Sequence, residues 1–464
     1  MKSIIENEKF NTKMETSDWR YSASIVGLIK YFDYLVAKGY EVESNLYKIE
    51  DDVIAYNSEA ITEKRYLLFV EHYFETAMHH RVIEQMLKNS EFTDEQIKLV
   101  NDKLKANTIM KKVFKDIKFS GENKKVILQK INENREDLIK ETYKNGDSLY
   151  SRFANPKYLF SKPNKICRIL NYDIDIGRKS KTISYNWDFK TYKFNDVNEF
   201  DFIPFAFSKS FEAFFINNNY SIKQLFNTNN VISNSEHPRS TLFCDLKNSA
   251  NFIDFDVEVI IKGKIKKKNK IKNKEYFETL YIRKSAIKIF KAIENYKAIK
   301  IPYRVNDNYV RYLEKEVTDS ILNNIKIDDL IEMLLKPKQD TEKYKYPNYS
   351  YNIKILIEIN TLIYGGDKMD QQMKSAYESA KRVMKEIPEN KVNSYKQKLI
   401  SAITFKDYER FCEILLQLSS YSGVVFDFAY DLFADFDENK NIAYTFINAL
   451  NKEANKDNGG KKDE

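Results

Sequence analysis

Three histidines are the first residues whose types and spacing could do chemistry. His72, His79 and His80 lie in a stretch that reads as one helix, at i, i+7 and i+8, with Glu71 and Glu75 beside them. Imidazoles and carboxylates on one face are what a metal-dependent nuclease or a toxin-like enzyme would use. Two helical turns, however, hold His72 and His79 about 10 Å apart. One ion with bonds of about 2 Å cannot reach both. A solvated helix face is the plainer reading, and no metal site is expected. The chain has no Walker A loop, dinucleotide fingerprint, H-E-x-x-H or G-x-S-x-G, the motifs that would place a nucleotide, a metal or a nucleophile. Asp51-Asp52 and Asp328-Asp329 are acid pairs with no histidine or second cluster next to them. The residue pattern therefore predicts a protein that is not an enzyme and carries no cofactor.

Charge points elsewhere. Between Lys262 and Arg304 stand fifteen Lys/Arg and three Glu, a local excess larger than the +8 of the whole 464-residue chain, so the remainder is net acidic. Lys262, Lys264, Lys266, Lys267, Lys268, Lys270, Lys272 and Lys274 follow one another with no acid between them. Like charges this dense repel, and the segment is either a solvated loop or a phosphate-binding one. Binding would release condensed counterions. The run Asn217-Asn218-Asn219 also has two readings. Asparagine tolerates turns and caps helices, and its amide is also the bidentate reader of adenine in the major groove.

These residues need elements to position them. The composition, 42% hydrophobic and 14% aromatic, is that of a chain able to bury a core. Residues 1–155 read as a mainly helical N-terminal part, with an N-cap at Ser17-Asp18, a long helix closed by Gly39, and a hairpin from Tyr40–Ile49 and Val53–Tyr56. Amphipathic helices are expected over Glu63–Lys88 and Asp94–Ile117. Residues 156–343 read as a mixed α+β nucleic-acid-binding part with short antiparallel strands. Phe200–Ile216 looks strand-like, and Phe252–Ile261 and Tyr276–Ile282 flank a lysine-rich hairpin loop. Residues 344–464 read as a C-terminal helical bundle with helices near 370–386, 391–402, 405–418, 421–435 and 440–452, one of them opened by Thr404-x-x-Asp407. The fold class expected is α+β. Cys167, Cys244 and Cys412 form no C-x-x-C pair, which points to a reducing compartment. With no apolar run long enough for a membrane helix and a charged N-terminus, a cytoplasmic protein without membrane contact is expected.

Three segments resemble one family. Trp19-Arg20-Tyr21-Ser22-Ala23-Ser24-Ile25-Val26-Gly27-Leu28 resembles the N-terminal W-x-x-N-A-G-I-V-G-L motif of the large subunit of the type I-B CRISPR surveillance complex (Cascade), in its CXXC-CXXC subfamily. Phe202-Ile203-Pro204-Phe205-Ala206-Phe207, with Phe214-Phe215-Ile216-Asn217-Asn218-Asn219, resembles the central signature. Gly365-Gly366-Asp367-Lys368-Met369 is similar to a third landmark. Ser22 and Ser24 replace the motif's Asn and Gly, and Cys167 stands alone where paired cysteines would name the subfamily. The resemblance implies a subunit that binds crRNA-guided, double-stranded target DNA, reads the protospacer-adjacent motif and stabilises the R-loop in antiviral defence. Its implied partners are the Cascade backbone and crRNA-processing subunits, a small subunit from the same gene, and a helicase-nuclease. The lysine run and the Asn turn suit the two protein tasks, holding backbone and reading a short duplex motif.

Gly365-Gly366-Asp367 is encoded GGN-GGN-GAY. In A/T-rich usage this becomes GGA-GGU-GAU, complementary to the 3′ end of bacterial ribosomal RNA, with Lys368 as spacer and Met369 as an internal translation start. The plainer reading is a glycine stop for the element ending at Tyr364. Residues 369–464 are expected as a product made separately.

Overall fold

In the computed structural model, nearly every face of the first long helix is apolar and enclosed, and the N-terminal fold forms around it. The structure describes residues 9–451 except 90, 147–148, 165–166, 170–195, 210–212, 233–245, 248, 266–273, 296–298, 301, 307–308, 337–347 and 367–369. The fold is α+β, as expected: helical N- and C-terminal parts with a mixed middle containing short antiparallel sheets. The chain divides into two units. One comprises Met1–Thr241 with Asn251–Ile282, and the other Leu242–Ala250 with Arg283–Glu464. The first unit thus draws on both of the first two parts expected from sequence.

In the first unit, α1 (Trp19–Ala37) starts where the Asp18 carboxylate accepts the Arg20 N–H at 2.8 Å, satisfying one of the donors that a helix start leaves open. Strands β1 (Thr12–Glu15), β2 (Tyr47–Glu50) and β3 (Val53–Tyr56) form an antiparallel sheet in the order β1-β3-β2. The expected β2–β3 hairpin is present, while β1 lies in a stretch read as plain charged terminus. Helices α2 (Glu43–Leu46), α3 (Glu63–Tyr73), α4 (His79–Met86), α5 (Asp94–Leu104), α6 (Thr108–Val113), α7 (Lys124–Glu133), α8 (Arg135–Asn145) and α9 (Tyr150–Phe153) follow. The single helix expected over Glu63–Lys88 is broken by a 3-10 turn at Glu75–Ala77. That turn divides the three histidines between α3 and α4. The aromatic run expected as a strand is instead a 3-10 turn, Asn198–Phe205, and only Ala213–Asn217 is strand β4. Pro204 inside that turn has no N–H for a ladder.

Strand β4 pairs antiparallel with β5 (Val257–Ile265), and β5 with β6 (Lys274–Ile282), in the order β4-β5-β6. Helix α10 (Ile222–Ile232) follows β4. The aromatic core gathers α1, α3, the 3-10 turn and β4: Tyr31 and Phe202 rings lie 5.4 Å apart, and Phe69 and Phe205 4.5 Å apart. A smaller core gathers α4 to α8 around Ile83, Leu104, Phe119 and Leu138.

The second unit contains the hairpin β7 (Pro302–Asn306) and β8 (Tyr309–Tyr312) and nine described helices. These are α11 (Lys284–Ala292), α12 (Leu313–Asn323), α13 (Asp328–Leu335), α14 (Ser350–Ile363), α15 (Gln371–Glu386), α16 (Glu389–Thr404), α17 (Tyr408–Ser422), α18 (Ala429–Ala434) and α19 (Lys440–Ala449). Four of the expected C-terminal helices recur with shifted ends, while the one expected over 421–435 is reduced to Ala429–Ala434, after a non-helical stretch at 423–428. Thr404 closes α16, and Asp407 alone caps α17 by accepting the Arg410 N–H. The last helix, α19, packs against α13, α14 and α15. The bundle therefore begins upstream of Met369.

Candidate nucleic-acid interface

The β4-β5-β6 sheet carries both polar motifs. Along β5 and β6 the register runs from Val257 opposite Ile282 to Ile265 opposite Lys274. The eight-residue connection between those ends holds Lys266, Lys267, Lys268, Lys270 and Lys272, all outside the described residues. Lys264 pairs in register with Glu275. A ladder nine residues long on each strand therefore brackets the lysine run, the hairpin geometry expected from sequence.

Lys262 requires a correction. It is fully buried, and its backbone carbonyl accepts a hydrogen bond from the buried Arg152 guanidinium at 2.6 Å. It stands on the central strand β5, opposite Ala213 on β4 and Phe277 on β6, and its enclosed side chain is not open to a phosphate in this arrangement. Two of the asparagines are likewise committed to the fold. Asn217, across from Glu258, donates to that carboxylate at 3.1 Å. Asn218 is fully enclosed, its amide donating to the Thr228 hydroxyl at 3.0 Å and the Phe252 carbonyl at 2.8 Å. An unpaired buried amide would cost about 1–3 kcal/mol, so this pairing fixes the end of β4 to α10 and the entry to β5. In this arrangement neither the Asn217 nor the Asn218 side chain is open to a base edge. Asn219 is half-buried, and its amide donates to the Ser17 carbonyl at 3.1 Å, just before α1.

Sequence reasoning missed Asn229, which serves the edge of β4. Its side-chain oxygen accepts the Ile216 N–H at 2.9 Å, and its amide donates to the Ile216 carbonyl at 2.8 Å. It is one of three asparagines in α10, with Asn227 and Asn230, and nothing in that local run distinguishes the one that serves β4.

Arg168 was also missed. It is fully buried beside the lone Cys167 and makes ion pairs with Asp196 at 3.0 Å and Asp201 at 2.8 Å. Asp201 further accepts from the Tyr150 hydroxyl and the Phe160 N–H. Burial pulls the pKa of this guanidinium down, but its pairing with the two carboxylates outweighs that and raises it above the ordinary value. Burial pushes the Asp201 carboxyl above the usual range, with Arg168 opposing. The cluster joins the end of the helical N-terminal stretch to the 3-10 turn. Removing one partner of such a group typically costs about 3–5 kcal/mol. Cys167 is buried, and its sulfur accepts from the Arg20 guanidinium at 3.6 Å.

The histidines do not converge. His72 is exposed and lies against the Tyr34 ring, at 5.2 Å between centroids. His80 is fully buried, with Nε2 2.8 Å from Glu71, whose carboxylate also receives Arg135. His79 is half-buried, and burial, then Lys103 and His80, lower its pKa. Among the described residues no group of three or more His, Cys, Asp or Glu is placed to hold a metal ion. His237 lies outside them. Among the same residues no helix is long and apolar enough to cross a membrane.

No curated protein matches the chain. The model of the family described as CRISPR-associated protein Csx8 matches residues 10–237 and 229–450. The first stretch contains the Trp19–Leu28 and Phe202–Asn219 motifs, and the second the lysine run and the C-terminal helices. With nearly the whole chain matched, this protein belongs to the Csx8 family of CRISPR-associated proteins.

Proposed function

We propose that this CRISPR-associated protein is the large subunit of a Cascade-type surveillance complex, of type I-B character. In this reading it is a non-catalytic subunit that binds crRNA-guided target DNA, reads the protospacer-adjacent motif and stabilises the R-loop for a helicase-nuclease. The observation that carries the reading is the β5–β6 ladder, whose far ends, Ile265 and Lys274, are joined by the lysine-rich connection. A basic segment held at the end of a paired two-strand ladder suits sequence-independent backbone contact. With Asn217 and Asn218 enclosed, Asn219 is the member of the Asn turn that retains some exposure for a duplex edge. The lysines assigned to backbone contact are Lys264, Lys266, Lys267, Lys268, Lys270, Lys272 and Lys274.

The test replaces Lys266, Lys267, Lys268 and Lys270 with Ser and measures duplex binding across a salt series. Affinity should fall alike for all sequences. The slope of log K against log salt should become shallower by roughly 0.9 for each phosphate that a replaced lysine had neutralised. An unchanged slope would mean that the run is only solvated.

A further inference from the structure

In the second unit, a cleft of about 350 Å³ opens between the end of α13, the start of α14 and the middle of α16. That volume is within the rough 300–1,000 Å³ range of small-molecule sites. Its polar lining includes Lys396, Lys336, Asn393 and Gln397, and its aromatic lining is Tyr303 and Tyr349. No carboxylate is among the described lining residues. The Lys396 ammonium therefore has no carboxylate beside it among those lining residues. Lys396 is half-buried, and its ammonium donates to the neutral side-chain oxygen of Asn451, whose amide is used in turn on the Ser350 hydroxyl. Burial lowers the Lys396 pKa to about 8. An ammonium drawn out of water without a counter-ion is held at a cost that an incoming anion would offset.

The rest of the lining narrows the anion. Tyr303 and Tyr349 form an aromatic pair, with centroids 5.7 Å apart at 51°. Asn393 and Gln397 lie one helical turn apart on exposed positions of α16. The two tyrosines are mostly enclosed and give the cleft an apolar aromatic wall; that wall, with amides that both donate and accept, matches a base and its edges.

We infer that this cleft receives a phosphate-bearing nucleotide unit of a single nucleic-acid strand, with Lys396 against the phosphate and the tyrosines and amides around the base. The inference rests on the nucleic-acid reading above but uses a different unit of the chain from the lysine run, so the two can fail separately. The experiment uses the full chain and its K396M, K396Q and K396R variants, with melting measured for each. The probes are adenosine monophosphate, inorganic phosphate, a labelled single-stranded oligonucleotide and a glutamate-rich peptide. The parent should bind the monophosphate and the oligonucleotide. K396M and K396Q should weaken both by roughly 10- to 100-fold, the worth of one charge-assisted hydrogen bond, and K396R should retain most of the affinity. If the oligonucleotide binds equally to all four chains while the lysine-run variant loses it, the cleft assignment is overturned and the function stands. If the monophosphate binds through Lys396 but the oligonucleotide does not bind, the strand is overturned as the source of the phosphate. Binding of the peptide in place of the monophosphate overturns the inference in favour of a protein partner.

Discussion

Lys30 shows what a single side chain contributes to this fold. It lies on α1, donating to the Phe205 carbonyl at 2.9 Å and reaching the Tyr73 hydroxyl at 3.3 Å, while Lys209 sits over the Tyr73 ring at 4.2 Å. Burial, reinforced by Lys209, lowers the Lys30 pKa to about 7 from its ordinary 10.5. Between those two values the unfolded chain binds a proton that the folded chain does not, so stability rises with pH across that window. Below about pH 7 both states are charged and the burial cost is felt in full. Lys30→Met removes this titration. Chemical denaturation from pH 6 to pH 10 should show the parent gaining stability relative to the variant as pH rises. A difference that stays constant with pH would mean that Lys30 titrates normally. Residue chemistry of this kind is only partly legible in a sequence. The amides of Asn217–Asn219 are evident as polar groups near a strand end. That Asn218 spends its amide on Thr228 and Phe252 depends on residues 10 and 34 positions away, and no local pattern carries that.

At the scale of elements, two of the resembling motifs prove to be one packing unit. Helix α1, which contains Trp19–Leu28, lies along the 3-10 turn that contains Phe202–Phe205. Trp19 meets Phe207 edge-on at 5.9 Å, and Tyr31 meets Phe202 at 5.4 Å. Gly27 is where the two backbones come closest: a Cβ there would stand 2.1 Å from the Phe202 carbonyl oxygen. Backbone cannot yield as a flexible side chain does, so Gly27→Ala must force α1 away from the turn. The expected loss is about 1–3 kcal/mol or more, read as a lowered melting temperature. An alanine variant that melts with the parent would refute the close approach. Helices with strong apolar periodicity were legible because burial of one face fixes them, as with α15 to α17. The break between α3 and α4 was not. It contains no Gly or Pro, and its cause is tertiary, since Glu71 before it and His80 after it meet at 2.8 Å. The aromatic run Phe200–Phe207 has strand-like composition, but Pro204 and the demand of α1 for a close partner turn it into a 3-10 turn.

At the scale of the molecule, the question is whether one gene supplies two chains. Helix α14 ends in a turn where Gly365 adopts φ +88°, its N–H donating to the Leu362 carbonyl and that of Gly366 to Thr361. A positive φ is what glycine serves at a helix end, so the protein has its own use for Gly365. That use does not compete with the proposed ribosome pairing, which acts on the codons. Asp367, Lys368 and Met369 lie outside the described residues, and α15 begins directly afterwards, with the Asp370 carboxylate accepting the Met373 N–H at 2.7 Å. Where the structure changes the expectation is in the product. Helix α19 is buried on nearly every side. Part of its cover comes from upstream of Met369: Asn441 meets Asn360 of α14 at 2.8 Å, and the Tyr444 hydroxyl meets Glu332 of α13 at 2.7 Å. A chain starting at Met369 would lack both helices and uncover that face, leaving polar groups that need partners and apolar area that favours association. We therefore expect two outcomes from a tagged gene recoded to abolish the GGAGGU pairing while keeping every amino acid. The short C-terminal product should disappear with the full-length chain unaffected. From the unaltered gene, that product should elute bound to itself or to another chain in size-exclusion chromatography, never as a compact monomer. If no fragment beginning at Met369 is made from the unaltered gene, the internal start is wrong. If the fragment runs as a stable monomer, helices α15 to α19 fold without α13 and α14, and their dependence on Asn360 and Glu332 does not hold.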